Sequence, residues 1–102
     1  MLVVRAGRRG PDVRLRAAAV HARRNVAVLE QRARGYLATE AEREGPWAPL
    51  TLTAVDVFRP SGRWWARGHG DLACVLWFAI DGDRNVIEVV FVQDVPVAWD
   101  YH

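Results

Sequence analysis

LACVLWFAIDGDRNVIEVVFV, residues 72–92, reads as two strands folded back on each other. Every position from Leu72 to Ile80 is apolar, which fits a central strand covered on both faces or on one face plus a partner. Asp81-Gly82-Asp83-Arg84-Asn85 supplies a hairpin connection, and Val86 to Val92 alternates around Glu88 as the return strand. Working outward, Leu50 to Phe58 keeps a period near two and is rich in β-branched residues, so it reads as a third strand. Arg59-Pro60-Ser61-Gly62 is a turn by its proline and glycine, Arg63 to Arg67 can run back from it, and Gly68-His69-Gly70-Asp71 turns again. Asp94, Pro96 and the tail to His102 read as an extended or loosely helical end.

Before Trp47 the period is about 3.6. Leu15, Ala18, Ala22, Val26, Leu29, Ala33 and Tyr36 recur at steps of three or four and draw one apolar stripe. Pro11 suits a first helical turn and Asp12 the positive end of a helix dipole. Run without interruption to Arg43, such a helix would hold about 33 residues and span roughly 50 Å, long for a small domain. A break near Arg24-Asn25, giving two antiparallel helices, is the alternative. Gly45-Pro46 ends the segment either way, because proline cannot continue the hydrogen-bond ladder. Met1 to Val4 is a short apolar run, closed by Gly7-Arg8-Arg9-Gly10-Pro11. The expected architecture is α+β: an N-terminal strand and a long helix or helix pair packed on one face of an antiparallel sheet of three to four strands.

The chain has 102 residues, 51% of them apolar, which bounds it to one domain over residues 1–102 with one core. No stretch reaches the 18 or more apolar residues of a membrane span, and Met1 to Gly10 carries charge where a signal peptide needs a hydrophobic segment. A soluble, cytoplasmic protein without membrane contact is expected. The single cysteine, Cys74, excludes an intramolecular disulfide and a cysteine-rich zinc site, and within an apolar run it reads as a small hydrophobe.

Charge segregates along the chain. All 14 basic side chains are arginine, and nine of them lie in the first 34 residues beside only Asp12 and Glu30. The remainder sets five arginines against ten carboxylates, so a front third near +7 meets a remainder near −5 within a net charge of +2. Clustered arginines opposite the apolar stripe (Arg16, Arg23, Arg24 and Arg34) could bind phosphates by releasing counterions. The simpler reading is a solvated helix face paired with acidic residues of this chain or a partner.

RWWARGHGD, LACVLWFAIDGDRN and VIEVVFV, spanning residues 63–92, resemble the RelE/ParE superfamily of small bacterial toxins: a tryptophan-bearing strand, an arginine and a glycine turn, an apolar strand ending in Ile-Asp, and a valine-rich strand. Two departures are plain. Cys74 stands before Val75-Leu76-Trp77 where members typically carry an arginine, and the lysines used by some ribonuclease members are absent. The resemblance implies a compact endoribonuclease that works on mRNA at the ribosome, or a gyrase poison, neutralised by an antitoxin and independent of metal. Such ribonucleases let the RNA's own 2′-hydroxyl attack the adjacent phosphate, with a base, arginines for the phosphorane charge and an acid for the leaving oxygen. Carried onto this chain, the catalytic candidates are Arg63, Arg67, His69, Arg84, Tyr101 and His102.

Each candidate has a plainer reading beside it. Arg63, Trp64, Trp65 and Arg67 interleave cations and aromatics as a base-stacking platform does, with Trp65 the RNA-binding candidate beside Arg16, Arg23 and Arg24. Yet adjacent tryptophans on a strand point to opposite faces, so at least one belongs to a core. His69 between two glycines suits acid–base chemistry, or is a solvent-facing turn histidine. His21, His69 and His102 stand at unrelated spacings that define no metal site, and the Asp81–Asp83 turn lacks the ligand pattern of a calcium loop. No cofactor-binding motif occurs. Of the two faces of the central strand, either Ala73, Val75, Trp77 and Ala79 or Leu72, Cys74, Leu76, Phe78 and Ile80 would stay open, an apolar patch fit for a homodimer or heteromer. The rival to the toxin is therefore a noncatalytic dimeric or adaptor protein that assembles through the sheet.

Overall fold

The apolar hairpin is the centre of the molecule. In the computed structural model, which describes residues 3–6, 13–40, 49–58 and 73–102, β3 (Ala73–Ile80) pairs antiparallel with β4 (Val86–Val92) from Ala73↔Val92 to Ala79↔Val86. On one side β3 pairs antiparallel with β2 (Leu50–Phe58), and β1 (Val3–Ala6) runs parallel to β2 at the edge. On the other side β4 pairs antiparallel with β5 (Val95–Tyr101), so the sheet order is β1-β2-β3-β4-β5. Two helices, α1 (Val13–Arg24) and α2 (Val26–Glu40), connect the parallel pair and pack on one sheet face. This is the expected α+β class, with β2 to β5 as its four antiparallel strands. The Arg63–Arg67 arm, its two turns, the Gly7–Pro11 breaker and the Gly45-Pro46 stop lie outside the described residues.

The tail is a strand, and the reason is its turn. Gln93 and Asp94 both have positive φ, 52° and 63°, the backbone of a two-residue primed turn whose twist matches a hairpin. Asparagine or glycine usually advertises that turn, and here neither is present. Asp94 is instead held from the helix layer: His21 Nε2 lies 2.7 Å from Asp94 Oδ2, and Arg32 donates to the Asp94 carbonyl at 2.8 Å. At the other end of the central hairpin Gly82, φ 76°, takes the left-handed position that a side chain would disfavour.

The helix breaks where the sequence allowed, at Asn25, which divides it into α1 and α2. Asn25 N–H donates to the His21 carbonyl and Leu29 N–H to the Asn25 carbonyl, both at 3.0 Å, so the first bond closes the last turn of α1 and the second opens the first turn of α2. The Asn25 side-chain amide also donates to the His21 carbonyl at 2.8 Å, and this local competition with the ladder is the physical cause of the interruption. α1 packs over β1 and β2, and α2 reaches β5.

The stripe that the sequence drew is the one that is buried. Leu15, Ala22, Leu29, Ala33 and Leu37 meet Val55, Val57, Leu76, Phe78, Ile80, Ile87, Val89 and Phe91 in the main core. Each leucine, isoleucine, valine or phenylalanine among them contributes about 1.5 to 3 kcal/mol on leaving water. The other face of β3 and β4 carries a smaller cluster of Ala73, Val75 and Val90, packed by Trp77, Val97 and Ala98. Ala73 and Val75 are only 2% and 3% exposed, so the expectation of an open apolar sheet face does not hold at these two positions. Among the described residues, no helix is long and apolar enough to cross a membrane.

Leu29→Ala should lower the unfolding free energy by about 2 to 5 kcal/mol, whereas Val28→Ala, at an exposed position of the same helix, should stay within about 0.5 kcal/mol. Urea unfolding of the two variants reads the difference, and equal effects would place the wrong helix face in the core.

Candidate functional site

On the sheet face away from the helices, strand register sets Trp77 beside Glu88 and Glu88 beside Asp100. Among the described residues Glu88 is the one charged residue at a buried position, 4% exposed, within an otherwise apolar strand. His102 follows two residues after Asp100, so alternation returns it to this face. Its backbone N–H and carbonyl both bond to Val86, at 2.9 and 3.0 Å, which fixes the histidine to the ladder. The imidazole Nε2 then lies 3.2 Å from Glu88 Oε1 and 3.9 Å from Asp100 Oδ2. The Trp77 ring flanks the imidazole with centroids 5.8 Å apart, and Trp77 Nε1 donates to Asp56 Oδ2 at 2.8 Å. A half-exposed histidine held by a buried carboxyl group is the arrangement that orients an imidazole for proton transfer.

Tyr101 points the other way. Its register partner is Ile87, which is buried in the main core, so Tyr101 and His102 occupy opposite faces and cannot serve one reaction centre together. The Tyr101 hydroxyl is bound at the hairpin turn: Asn85 Nδ2 donates to it at 2.6 Å, and it donates to Asp83 Oδ2 at 3.2 Å. Asp83 also accepts from the Asn85 backbone N–H at 3.0 Å, the foremost of the hydrogen bonds that hold its carboxyl below the usual range. Desolvation and the Asp83 charge push the Tyr101 phenol above its ordinary value. These contacts brace the turn that carries Arg84, which is exposed.

The sequence-derived candidates therefore divide. Arg63, Trp65, Arg67 and His69 lie outside the described residues. Arg84 lies in the turn from β3 to β4, and His102 is bonded to Val86 at that same end of the sheet. Arg16, Arg23 and Arg24 are exposed on α1, across the sheet from His102. Arg34 departs from the expected free basic face: it pairs with Glu30 at 3.0 Å, donates to the Leu50 carbonyl at 2.9 Å and lies over the Phe78 ring at 5.3 Å. Glu88, Asp100, Trp77 and Asp56 were not singled out from sequence. The available signal was a lone carboxylate in an otherwise apolar strand, opposite a tryptophan in the hairpin register.

A second concave region lies between α1 and the sheet. It is a cavity of about 190 Å³ whose lining includes Ala22, Leu29, Phe91, Cys74, His21 and Asp94. Burial, followed by the charges of Asp94 and Asp56, pushes the Cys74 thiol up to about 12. A thiol so rarely ionised is no nucleophile, in keeping with its reading as a small hydrophobe. No family model matches this chain, and no curated protein or solved structure matches it either.

Alkylation of Cys74 by iodoacetamide at pH 8 should run about two to three orders of magnitude slower in the native protein than in denaturant, because the thiolate fraction falls with the raised pKa. Comparable rates would mean that the thiol is accessible and ordinary.

Proposed function

We propose that the protein is a RelE/ParE-like toxin that cleaves mRNA by metal-independent transesterification and is neutralised by a partner protein. The observation that carries this reading is the pairing of buried Glu88 with half-exposed His102 at 3.2 Å, beside the turn that bears Arg84. In the proposed reaction His102 takes the proton from an RNA 2′-hydroxyl and the 2′-oxygen bonds to the adjacent phosphorus. The bond from phosphorus to the 5′-oxygen then breaks, that oxygen takes up a proton, and a 2′,3′-cyclic phosphate remains. Glu88 orients the imidazole, and Arg84 balances charge on the phosphorane. Exposed Arg16, Arg23 and Arg24 on α1 add a sequence-independent attraction for the rest of the RNA. Tyr101 has no place in this step, because it faces the opposite side of the sheet.

One observation favours the noncatalytic adaptor as a second reading. Val13, Val20 and Val28 are 82%, 44% and 45% exposed on the helices, and Val95 and Tyr101 are 56% and 43% exposed on β5, so apolar surface is open to a partner on both the helix layer and the sheet.

Inducible expression in a bacterial host, with growth followed and mRNA 5′ ends mapped, separates the two. Growth arrest with new cleavage sites is expected, and His102→Ala and Arg84→Ala should each lower cleavage by about a hundredfold or more while the fold persists. Undiminished cleavage in both variants would discard this site. Normal growth with intact mRNA in the unaltered protein would leave the adaptor reading.

A further inference from the structure

The geometry points to a divalent transition-metal site formed by His102 Nε2, the Glu88 carboxylate and the Asp100 carboxylate, taking Zn²⁺ or a chemically similar ion. The three donor atoms lie within 4.8 Å of one another. Around an ion with bonds of 2.0 to 2.2 Å, neighbouring donors sit about 3 to 3.5 Å apart. The Glu88 to His102 separation of 3.2 Å already falls in that range, and the 3.9 Å to Asp100 closes with a small rotation of a side chain that is 66% exposed.

Three features set this constellation apart from a chance gathering of surface acids. One donor is an imidazole nitrogen, and it is that same nitrogen which faces both carboxylates. Glu88 is more than nine-tenths buried with an oxygen 3.2 Å from the same imidazole nitrogen, so its position in the cluster is fixed by the sheet. Glu88 and Asp100 stand on paired strands, and His102, one residue past β5, is bonded through its backbone to Val86 with its ring flanked by Trp77, so little ordering is left for the ion to impose. One nitrogen and two carboxylate donors favour Zn²⁺, Co²⁺ or Mn²⁺ over Mg²⁺ and Ca²⁺, which prefer oxygen alone. Three protein donors leave a further coordination position for water or a ligand oxygen.

The binding claim is independent of any reaction. Its consequence for activity rests on the ribonuclease reading above: the ion displaces the proton from Nε2, the nitrogen held by Glu88, and leaves the ring's remaining proton on Nδ1, so the imidazole no longer accepts the 2′-hydroxyl proton and Zn²⁺ inhibits cleavage there.

The test is calorimetry of Zn²⁺ alone, without RNA, with tag-free full-length protein, backed by the visible absorption of bound Co²⁺. One saturating equivalent is expected, weakened at least about tenfold in both His102→Ala and Asp100→Asn. These two side chains are exposed, so the variants should fold, and circular dichroism checks that they do. His21→Ala, which removes the histidine paired with Asp94 at the far end of β5, should bind as the unaltered protein does. Absence of saturable binding, or binding that survives both His102→Ala and Asp100→Asn, overturns the site. Saturable binding lost in those variants supports it even where no RNA is cut, an outcome that would count against the ribonuclease alone.

Discussion

Burial of the β3–β4 hairpin on both faces is the constraint from which the rest of the architecture follows. Leu76, Phe78, Ile87 and Val89 are fully covered from the helix side, while Ala73, Val75 and Val90 are covered on the other. A two-stranded unit with so much apolar surface is not stable in water alone, so it needs flanking strands and a covering layer. β2 and β5 extend it, and the two helices supply the layer. The break at Asn25 lets α1 lie over β1 and β2 while α2 reaches β5.

Arginine holds much of this layer in place. Arg32 and His21 grip Asp94, whose left-handed backbone would otherwise cost about 1 kcal/mol or more, and Arg34 ties α2 to Leu50 and Phe78. Arginines of the basic front third thus reach the remainder through its backbone carbonyls, at Asp94 and Leu50, while His21 supplies the contact to the Asp94 carboxylate. These contacts lie at the protein surface, where each ion pair contributes little by itself; their value is in fixing the helix layer relative to the β4–β5 turn. Among the described residues, Arg16, Arg23 and Arg24 stand exposed on α1.

Most of the fold was legible because hydrophobic periodicity is local. The 3.6-residue stripe through Leu15, Ala22, Leu29 and Ala33 is the buried stripe, and the hairpin around Gly82 forms where its turn signal stood. What stayed hidden depends on contacts distant in sequence. β5 begins after Gln93-Asp94, a primed turn without glycine, stabilised by residues more than 60 positions away. The basic face likewise could not be divided into free and engaged arginines without knowing that Leu50 and Asp94 lie beneath α2. The candidate site was half legible. Arg84 and His102 were visible by residue type, but Glu88 looked like one polar beat of a strand, and only cross-strand register joins it to Asp100 and His102.

That register also explains why the site stands where it does. A sheet whose helix-facing side is saturated with Leu, Ile, Val and Phe has no room there for a carboxyl group, so polar function is confined to the opposite side. On that side the apolar cluster of Ala73, Val75 and Val90 occupies the end of the hairpin near the β4–β5 turn, and the polar residues gather toward the other end. Trp77 stands between the two: its ring packs against the apolar cluster and flanks His102, while its indole nitrogen bonds Asp56. Trp77 therefore walls one side of the imidazole, and the buried carboxyl of Glu88 stands within hydrogen-bond reach of its Nε2. A histidine on a strand end would normally sample many rotamers. Here the β-ladder bonds to Val86, the Trp77 ring and Glu88 restrict it together, and restricted orientation is the property that both proton transfer and metal ligation require.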